Sequence, residues 1–396
     1  MSDEIDGYCD PAFAGVRDAF AENFARGEEV GAAVAVFVDG RPVVDLWGGV
    51  ADHKTGRPWR ADTPVITFSC TKAVTAAAAL RLAERGVVDL TAPVRGWWPE
   101  FAAAGKESAT GEHLLSHQVG LPAFDERLNA VDALDPAAMA ARLAGQTPVW
   151  APGTDHGYHA LTYGWLAGEL VRRHAGKPVG GYVAEEIAGD LELWLGADDA
   201  LIARTARLTT KPLTPPASGP SGAGAGGATP GTPRLKGPAA EMMAAAADPD
   251  SLMNRATGNP VPETGGYNDP DLLRGGWPAA GLIATARGLA GFYRELVGGR
   301  IIGTDTLRAA LTPRVSGRDR VLIADSTFGL GFMRPSTVFA VPGDTAFGHT
   351  GASGAIGVGD PERGLALAYV PNRLGGEVSG GMRAVRLTNA VYRALG

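Results

Sequence analysis

Phe68-Ser69-Cys70-Thr71-Lys72 opens an Ala- and Leu-rich run that continues to Arg85 and meets Gly86. The run predicts a helix from Ser69 to Arg85, with Gly86 as its C-terminal stop. Three helical residues advance about 4.5 Å and turn about 300°, so Ser69 and Lys72 share one face. A serine hydroxyl becomes a nucleophile when a base takes its proton, and a neutral amine beside it can do so. Burial and positive potential both favour the neutral amine. A helix N-terminus supplies that potential and also favours the oxyanion of acyl transfer. The competing reading is a surface serine and lysine on an Ala-rich helix. With 12 serines and six lysines in 396 residues, about 0.2 S-x-x-K matches arise by chance, so the motif alone is moderately specific.

Outward from this segment, Phe13, Val16, Phe20 and Phe24 recur at helical spacing within residues 11–27. The run Val30–Val38, then Asp39-Gly40, then Val43, Val44, Leu46 and Trp47 reads as a β-hairpin. Residues 87–210 alternate helix-like segments, such as Pro136–Ala144 and Leu161–His174, with Pro/Gly breaks, and strand patterns are few. Residues 211–240 are rich in Pro, Gly, Ala and Ser without an aromatic, which predicts a long surface loop. A helix is expected over Thr285–Leu296. Ala355–Gly359 and Leu365–Val370 form a second hairpin around Asp360–Gly364, and a closing helix spans Arg383–Leu395. Strands at both chain ends most simply pair in one antiparallel sheet with the helical middle inserted.

The net charge is −7 and 45% of residues are hydrophobic, which excludes a wholly disordered chain. The acidic balance, without a Lys/Arg run, argues against nucleic acid or an anionic membrane as partner. Only Cys9 and Cys70 are present, too few for a disulfide framework. No apolar stretch reaches about 18 residues, and Met1–Asp6 is acidic, so a cytoplasmic protein is expected.

Two further stretches carry chemistry. Tyr158 follows the Pro- and Gly-containing stretch Trp150–Gly157, which would hold its phenol on a stiff loop, although most tyrosines simply pack. Phe347-Gly348-His349-Thr350-Gly351-Ala352-Ser353-Gly354 reads by itself as a Gly-rich turn. In this order, S-x-x-K, a loop tyrosine and K/H-T-G are the set of serine β-lactamases and penicillin-binding proteins. The chain resembles the class C branch of that superfamily, and within it the family VIII carboxylesterases. Leu114–Pro122, Pro152–Glu169 and Gly281–Leu289 extend the likeness over most of the chain.

The resemblance implies an α/β (α+β) fold in which an antiparallel sheet is flanked by helices. The sheet domain would comprise residues 1–85 and 280–396, and residues 86–279 would form an inserted, mostly helical domain. The site would lie in the cleft between them. Ser69 would be the nucleophile, Lys72 its base or relay, and Tyr158 the second acid/base. The backbone N–H groups of Ser69 and Ala352 would form the oxyanion hole, with His349, Thr350 and Gly351 binding substrate. No cofactor or metal is implied. Two departures point away from β-lactams. Tyr158-His159-Ala160 lacks the asparagine of Tyr-x-Asn, and His349 replaces the cation of Lys-Thr-Gly, which weakens carboxylate recognition. The expected activity is therefore hydrolysis of small or short-chain esters through an acyl-enzyme on Ser69. The alternatives are acyl transfer to another acceptor, weak β-lactamase or D,D-peptidase activity, or a silent scaffold that retains the fold.

Other patterns read as structure. Lys54-Thr55-Gly56 precedes the nucleophile and predicts a turn. Gly222–Gly227 matches G-x-G-x-x-G without a flanking strand or helix. His113 and His117 are four apart but lack the glutamate of H-E-x-x-H. No G-x-S-x-G occurs, so an esterase reading rests on Ser69.

Overall fold

Asp39 and Gly40 both adopt positive φ, 49° and 76°, as a two-residue type I′ turn requires, and the flanking strands fold back on each other. The computed structural model describes residues 5–210, 237–262, 265–375 and 381–396. Strands β1 (Ile5–Cys9), β2 (Gly31–Val38) and β3 (Arg41–Asp52) come from the N-terminal end. Strands β4 (Phe347–Thr350), β5 (Ile356–Asp360) and β6 (Leu365–Pro371) come from the C-terminal end. They lie in the order β1-β3-β2-β6-β5-β4, and the short strand Arg57–Pro58 adds a seventh by pairing with β3. All pairs are antiparallel, and β2 joins the two chain ends directly through Val34 opposite Tyr369.

Alternate residues of the central strands face two different cores. Val34, Val36, Leu367 and Tyr369 pack with Val16 and Phe20 of α1 (Ala14–Ala25) and with Leu387 and Val391 of the last helix. Ala33, Ala35, Ala366 and Ala368 pack on the other side with Leu289 and Phe292 of the helix over Ala286–Val297. Small side chains on that side let the helix close in. At Gly357 an added Cβ would collide with the Tyr293 ring. Each large apolar side chain fully buried in these layers contributes about 1.5–3 kcal/mol.

Between the two halves of the sheet sequence runs α2 (Thr71–Glu84), buried on nearly every side from Thr71 to Leu80. That explains its composition, because a helix without a solvent face needs no polar stripe. It packs on α3 (Thr162–Ala175), and α4 (Ala286–Val297) and α5 (Gly381–Leu395) complete the layers. Gly86, at φ 71°, ends α2 as expected. The mixed α/β architecture around an antiparallel sheet is the fold class the sequence implied.

Differences are local. The expected helix over 11–27 begins as a 3-10 turn, Pro11–Phe13, because the Asp10 carboxylate accepts the Ala12 N–H at 2.9 Å. Helix Pro238–Ala247 takes up the last residues of the loop expected over 211–240, and residues 211–236 of that loop lie outside the described residues, as does Gly222–Gly227. Two small sheets were not anticipated. Val65–Ile66, Leu282–Ala284 and Leu193–Leu195 pair together, and Val315–Arg318 pairs with Asp325–Phe328. Strands of two to four residues are too short to show a period-2 pattern. No described helix is long and apolar enough to cross a membrane.

Candidate active site

Phe68 stands at φ +50°, a conformation that costs a non-glycine residue of order 1–3 kcal/mol. Its surroundings enforce it. Thr67 donates its N–H to the Leu282 carbonyl at 2.8 Å, and Phe68 bridges Gly281. The Thr71 hydroxyl donates to the Phe68 carbonyl and accepts the Leu282 N–H at 2.9 Å. The chain is thereby turned sharply into α2, whose N-cap is Cys70, and Ser69 sits at the corner with the Lys72 N–H on its carbonyl at 3.0 Å.

Lys72 is fully buried, with Nζ 3.0 Å from Ser69 Oγ. The same nitrogen donates to the Ala160 carbonyl at 2.7 Å and to the Ala279 carbonyl at 3.1 Å. Among the described residues no carboxylate pairs with it. Burial therefore holds its pKa well below the ordinary lysine value of 10.5. A neutral amine has two N–H groups and one lone pair. With both N–H groups on carbonyls, the lone pair is left for the serine proton.

Tyr158 comes from the irregular loop that precedes α3, and its ring lies 4.8 Å from Lys72 Nζ. Burial pushes the phenol pKa up, while a hydrogen bond with the Ser69 hydroxyl pulls the other way, so the phenol is protonated. The ring is stacked on Phe328 at 11° and leans on His117 at 5.1 Å. Tyr158, distant in sequence, thus meets Ser69 and Lys72.

Strand β4 brings the third stretch alongside. Cys70 Sγ donates to the His349 carbonyl at 3.4 Å, tying the start of α2 to this strand. Gly351 passes so close to the segment before Ser69 that an added Cβ would strike the Thr67 carbonyl. Ala352 follows, exposed. Among the described residues, neither the Ser69 nor the Ala352 N–H is taken by an acceptor.

A cavity of about 320 Å³ opens over Ser69, lined by Phe68, Tyr158, Leu161, Tyr267 and Ala352 among others. Among the described residues no charged side chain lines it. His349 and Thr350 are buried in β4 and do not line it; nor does Gly351. Burial brings the His349 pKa down to about 3, so the ring is neutral. Its Nδ1 meets the Thr350 carbonyl at 2.7 Å, and Nε2 has no partner among the described residues. The position that holds a cation in Lys-Thr-Gly is uncharged here.

His113, His117 and His159 serve backbone and side-chain hydrogen bonds of the scaffold. His113 exchanges hydrogen bonds with Thr110 in a capping box. His117 accepts the His159 N–H at 3.0 Å, and His159 in turn accepts the Leu121 N–H at 3.0 Å, its pKa lowered by burial to about 3. Among the described residues no group of three or more His, Cys, Asp or Glu is placed to hold a metal ion. Lys54-Thr55-Gly56 is an exposed turn between β3 and Arg57–Pro58. Sequence inspection missed the two carbonyls that grip Lys72, because backbone acceptors leave no compositional signal. It also missed Asp319, buried beside Tyr158, whose only mark is an aspartate amid the polar run of a short hairpin.

Residues 16–391 match the family described as "Beta-lactamase". The chain is 36% identical over 381 residues to the esterase/beta-lactamase LipL of Mycobacterium tuberculosis, covering 93% of this chain and 83% of that protein. The crystal structure of a family VIII carboxylesterase superposes with a TM-score of 0.85 at 33% identity, covering 99% of this chain and all of that one. A penicillin-binding protein homolog from Caulobacter crescentus gives a TM-score of 0.83 at 36% identity, with 99% and 100% coverage. A buried Ser-x-x-Lys corner, the tyrosine above it and this breadth of likeness agree, and the chain belongs to the beta-lactamase family as a serine hydrolase of the esterase/beta-lactamase kind.

Proposed function

We propose that the chain is a carboxylesterase that hydrolyses small, uncharged esters through an acyl-enzyme on Ser69. The observation that carries this is the buried, carboxylate-free Lys72 with Nζ 3.0 Å from Ser69 Oγ. Lys72 takes the serine proton as Oγ attacks the ester carbonyl. The developing oxyanion is met by the Ser69 and Ala352 N–H groups, each such donor being worth about 10²–10³ in rate. Tyr158 gives its proton to the leaving alkoxide and is reprotonated by the Lys72 ammonium. In the second half the tyrosine and lysine carry a water proton back to Ser69 Oγ as the acid leaves, which restores neutral Lys72.

The uncharged cavity and neutral His349 support an uncharged substrate. A cavity of about 320 Å³ is at the small end of ligand pockets, which supports short acyl chains. The M. tuberculosis relative carries both esterase and beta-lactamase in its name, so the two classes are best compared directly. Turnover of p-nitrophenyl acetate or butyrate is expected to exceed that of nitrocefin, which bears a carboxylate, by about 10- to 100-fold in kcat/KM, since a missing charge-assisted contact costs about 1.5–3 kcal/mol. Comparable values for the two would overturn the ester assignment. Running the same reaction with added alcohols or amines separates hydrolysis from acyl transfer, and free acid equal to ester consumed is expected.

A further inference from the structure

Tyr158 lies on a stretch without regular secondary structure, so its place over Ser69 has to be fixed from outside. One hairpin supplies both a hydrogen bond and a stacking partner. The Tyr158 N–H donates to Asp319 Oδ1 at 3.0 Å, and Phe328 stacks on its ring. Both residues belong to the same hairpin, Asp319 following strand Val315–Arg318 and Phe328 ending strand Asp325–Phe328.

Asp319 is fully buried, and among the described residues no cation pairs with it. Its charge is met by hydrogen bonds alone. Oδ1 also accepts the N–H groups of Val321 and Leu322, both at 2.8 Å, and Oδ2 accepts from the Ser326 hydroxyl at 3.0 Å. Ser326 Oγ then meets His156 Nε2 at 3.1 Å, and the His156 carbonyl accepts the Arg320 N–H at 3.2 Å. The loop at and just before Tyr158 is therefore clamped to the hairpin turn. On the far side, His117 accepts the His159 N–H through Nδ1 and the Gly157 N–H through its carbonyl at 3.2 Å.

A buried carboxylate with this many donors is costly unless every bond is made, and the geometry it enforces is correspondingly stiff. The turn alone would be capped by the bonds to Val321 and Leu322. The bond to Tyr158 spans 161 residues of sequence and serves the loop rather than the hairpin.

We infer that Asp319 is a positioning residue for the reaction, holding the Tyr158 peptide through Oδ1 so that the phenol meets Ser69 Oγ. This rests on Tyr158 being the second acid/base. A misplacement of about 1 Å at such a group costs about 100-fold in rate.

The test is a double-mutant cycle on p-nitrophenyl butyrate hydrolysis with Asp319→Ala and Tyr158→Phe, alongside Asp319→Asn. Asp319→Ala is expected to lower kcat about 100-fold and to change KM by less than about threefold. Asp319→Asn keeps an oxygen for the three N–H donors and should recover at least about 10-fold of that loss, since Ser326 can turn to accept from the amide. In the Tyr158→Phe background, Asp319→Ala should remove little more. If Tyr158→Phe is itself nearly as active as the parent, the acid/base reading of Tyr158 fails. If Tyr158→Phe is inactive while Asp319→Ala keeps kcat within about twofold, or lowers it equally in both backgrounds, the positioning role fails. Should Asp319→Ala not fold, Ser326→Ala removes the Oδ2 donor and its link to His156 while leaving the three N–H bonds to Oδ1, and a kcat loss of several-fold with unchanged KM is expected, against no loss if the clamp is merely structural.

Discussion

Lys72→Met is expected to lower kcat on a short-chain p-nitrophenyl ester by about 10³-fold, and Lys72→Arg to recover none of it. That factor corresponds to about 4 kcal/mol of transition-state stabilisation. The expectation follows from protonation state rather than charge. Burial favours the neutral amine at Lys72, and its two N–H groups are absorbed by the carbonyls of Ala160 and Ala279. An arginine in the same place cannot lose its proton near neutral pH, so it keeps the positive charge and loses the base. The pH profile carries the same signature. Because the folded-state pKa is lowered, kcat/KM should rise with pH through a pKa below the ordinary 10.5 and reach its plateau before free lysine would titrate. Stability has the matching sign. Between the folded pKa and 10.5 the unfolded chain binds more protons, so folding free energy improves as pH rises through that window. Lys72→Met should flatten this slope in urea titrations taken at several pH values. An active Lys72→Arg enzyme would show that the amine acts as a fixed cation instead.

Gly351→Ala is the second large effect. The added Cβ would strike the Thr67 carbonyl and come to 3.3 Å from Ala355 Cβ. Thr67 cannot retreat, since its N–H is bonded to Leu282 beneath it. Strand β4 must therefore shift away from the Ser69 corner and carry the Ala352 N–H with it. A loss of about 100-fold in kcat is expected, the size associated with one oxyanion donor. Overpacking should also cost about 1–3 kcal/mol in urea unfolding. Loss of stability with kcat intact would place the Ala352 amide outside the reaction.

Much of this arrangement was legible in the sequence, for identifiable reasons. The Asp39-Gly40 turn, the Phe13/Val16/Phe20/Phe24 stripe and the Asp360–Gly364 hairpin are local signals, so strands and helices at both chain ends were readable. Ser69 and Lys72 were readable because their three-residue spacing has one consequence on a helix. Tyr158 and Ala352 became readable only through the order of motifs, since nothing local distinguishes them from packing residues. What escaped was non-local or backbone in nature. The Ala160 and Ala279 carbonyls have no side-chain signature. The strands Val65–Ile66 and Leu193–Leu195 are too short to show alternation. Asp319 sits 161 residues from the peptide it holds, in a hairpin of two four-residue strands. His349 was expected to bind substrate, but its ring is buried and does not line the cavity over Ser69. The low lysine content gains a meaning from Lys72. In a chain that uses six lysines among 36 basic residues, one stands where an amine able to lose its proton is needed.

The most direct test of the account is peptide-mapped mass spectrometry of the enzyme quenched in acid during turnover of p-nitrophenyl butyrate. The account predicts a mass increase of one butyryl group on the peptide containing Ser69, formed at a rate no slower than kcat. Turnover at the full rate with that peptide unmodified and the acyl group on another residue would contradict it.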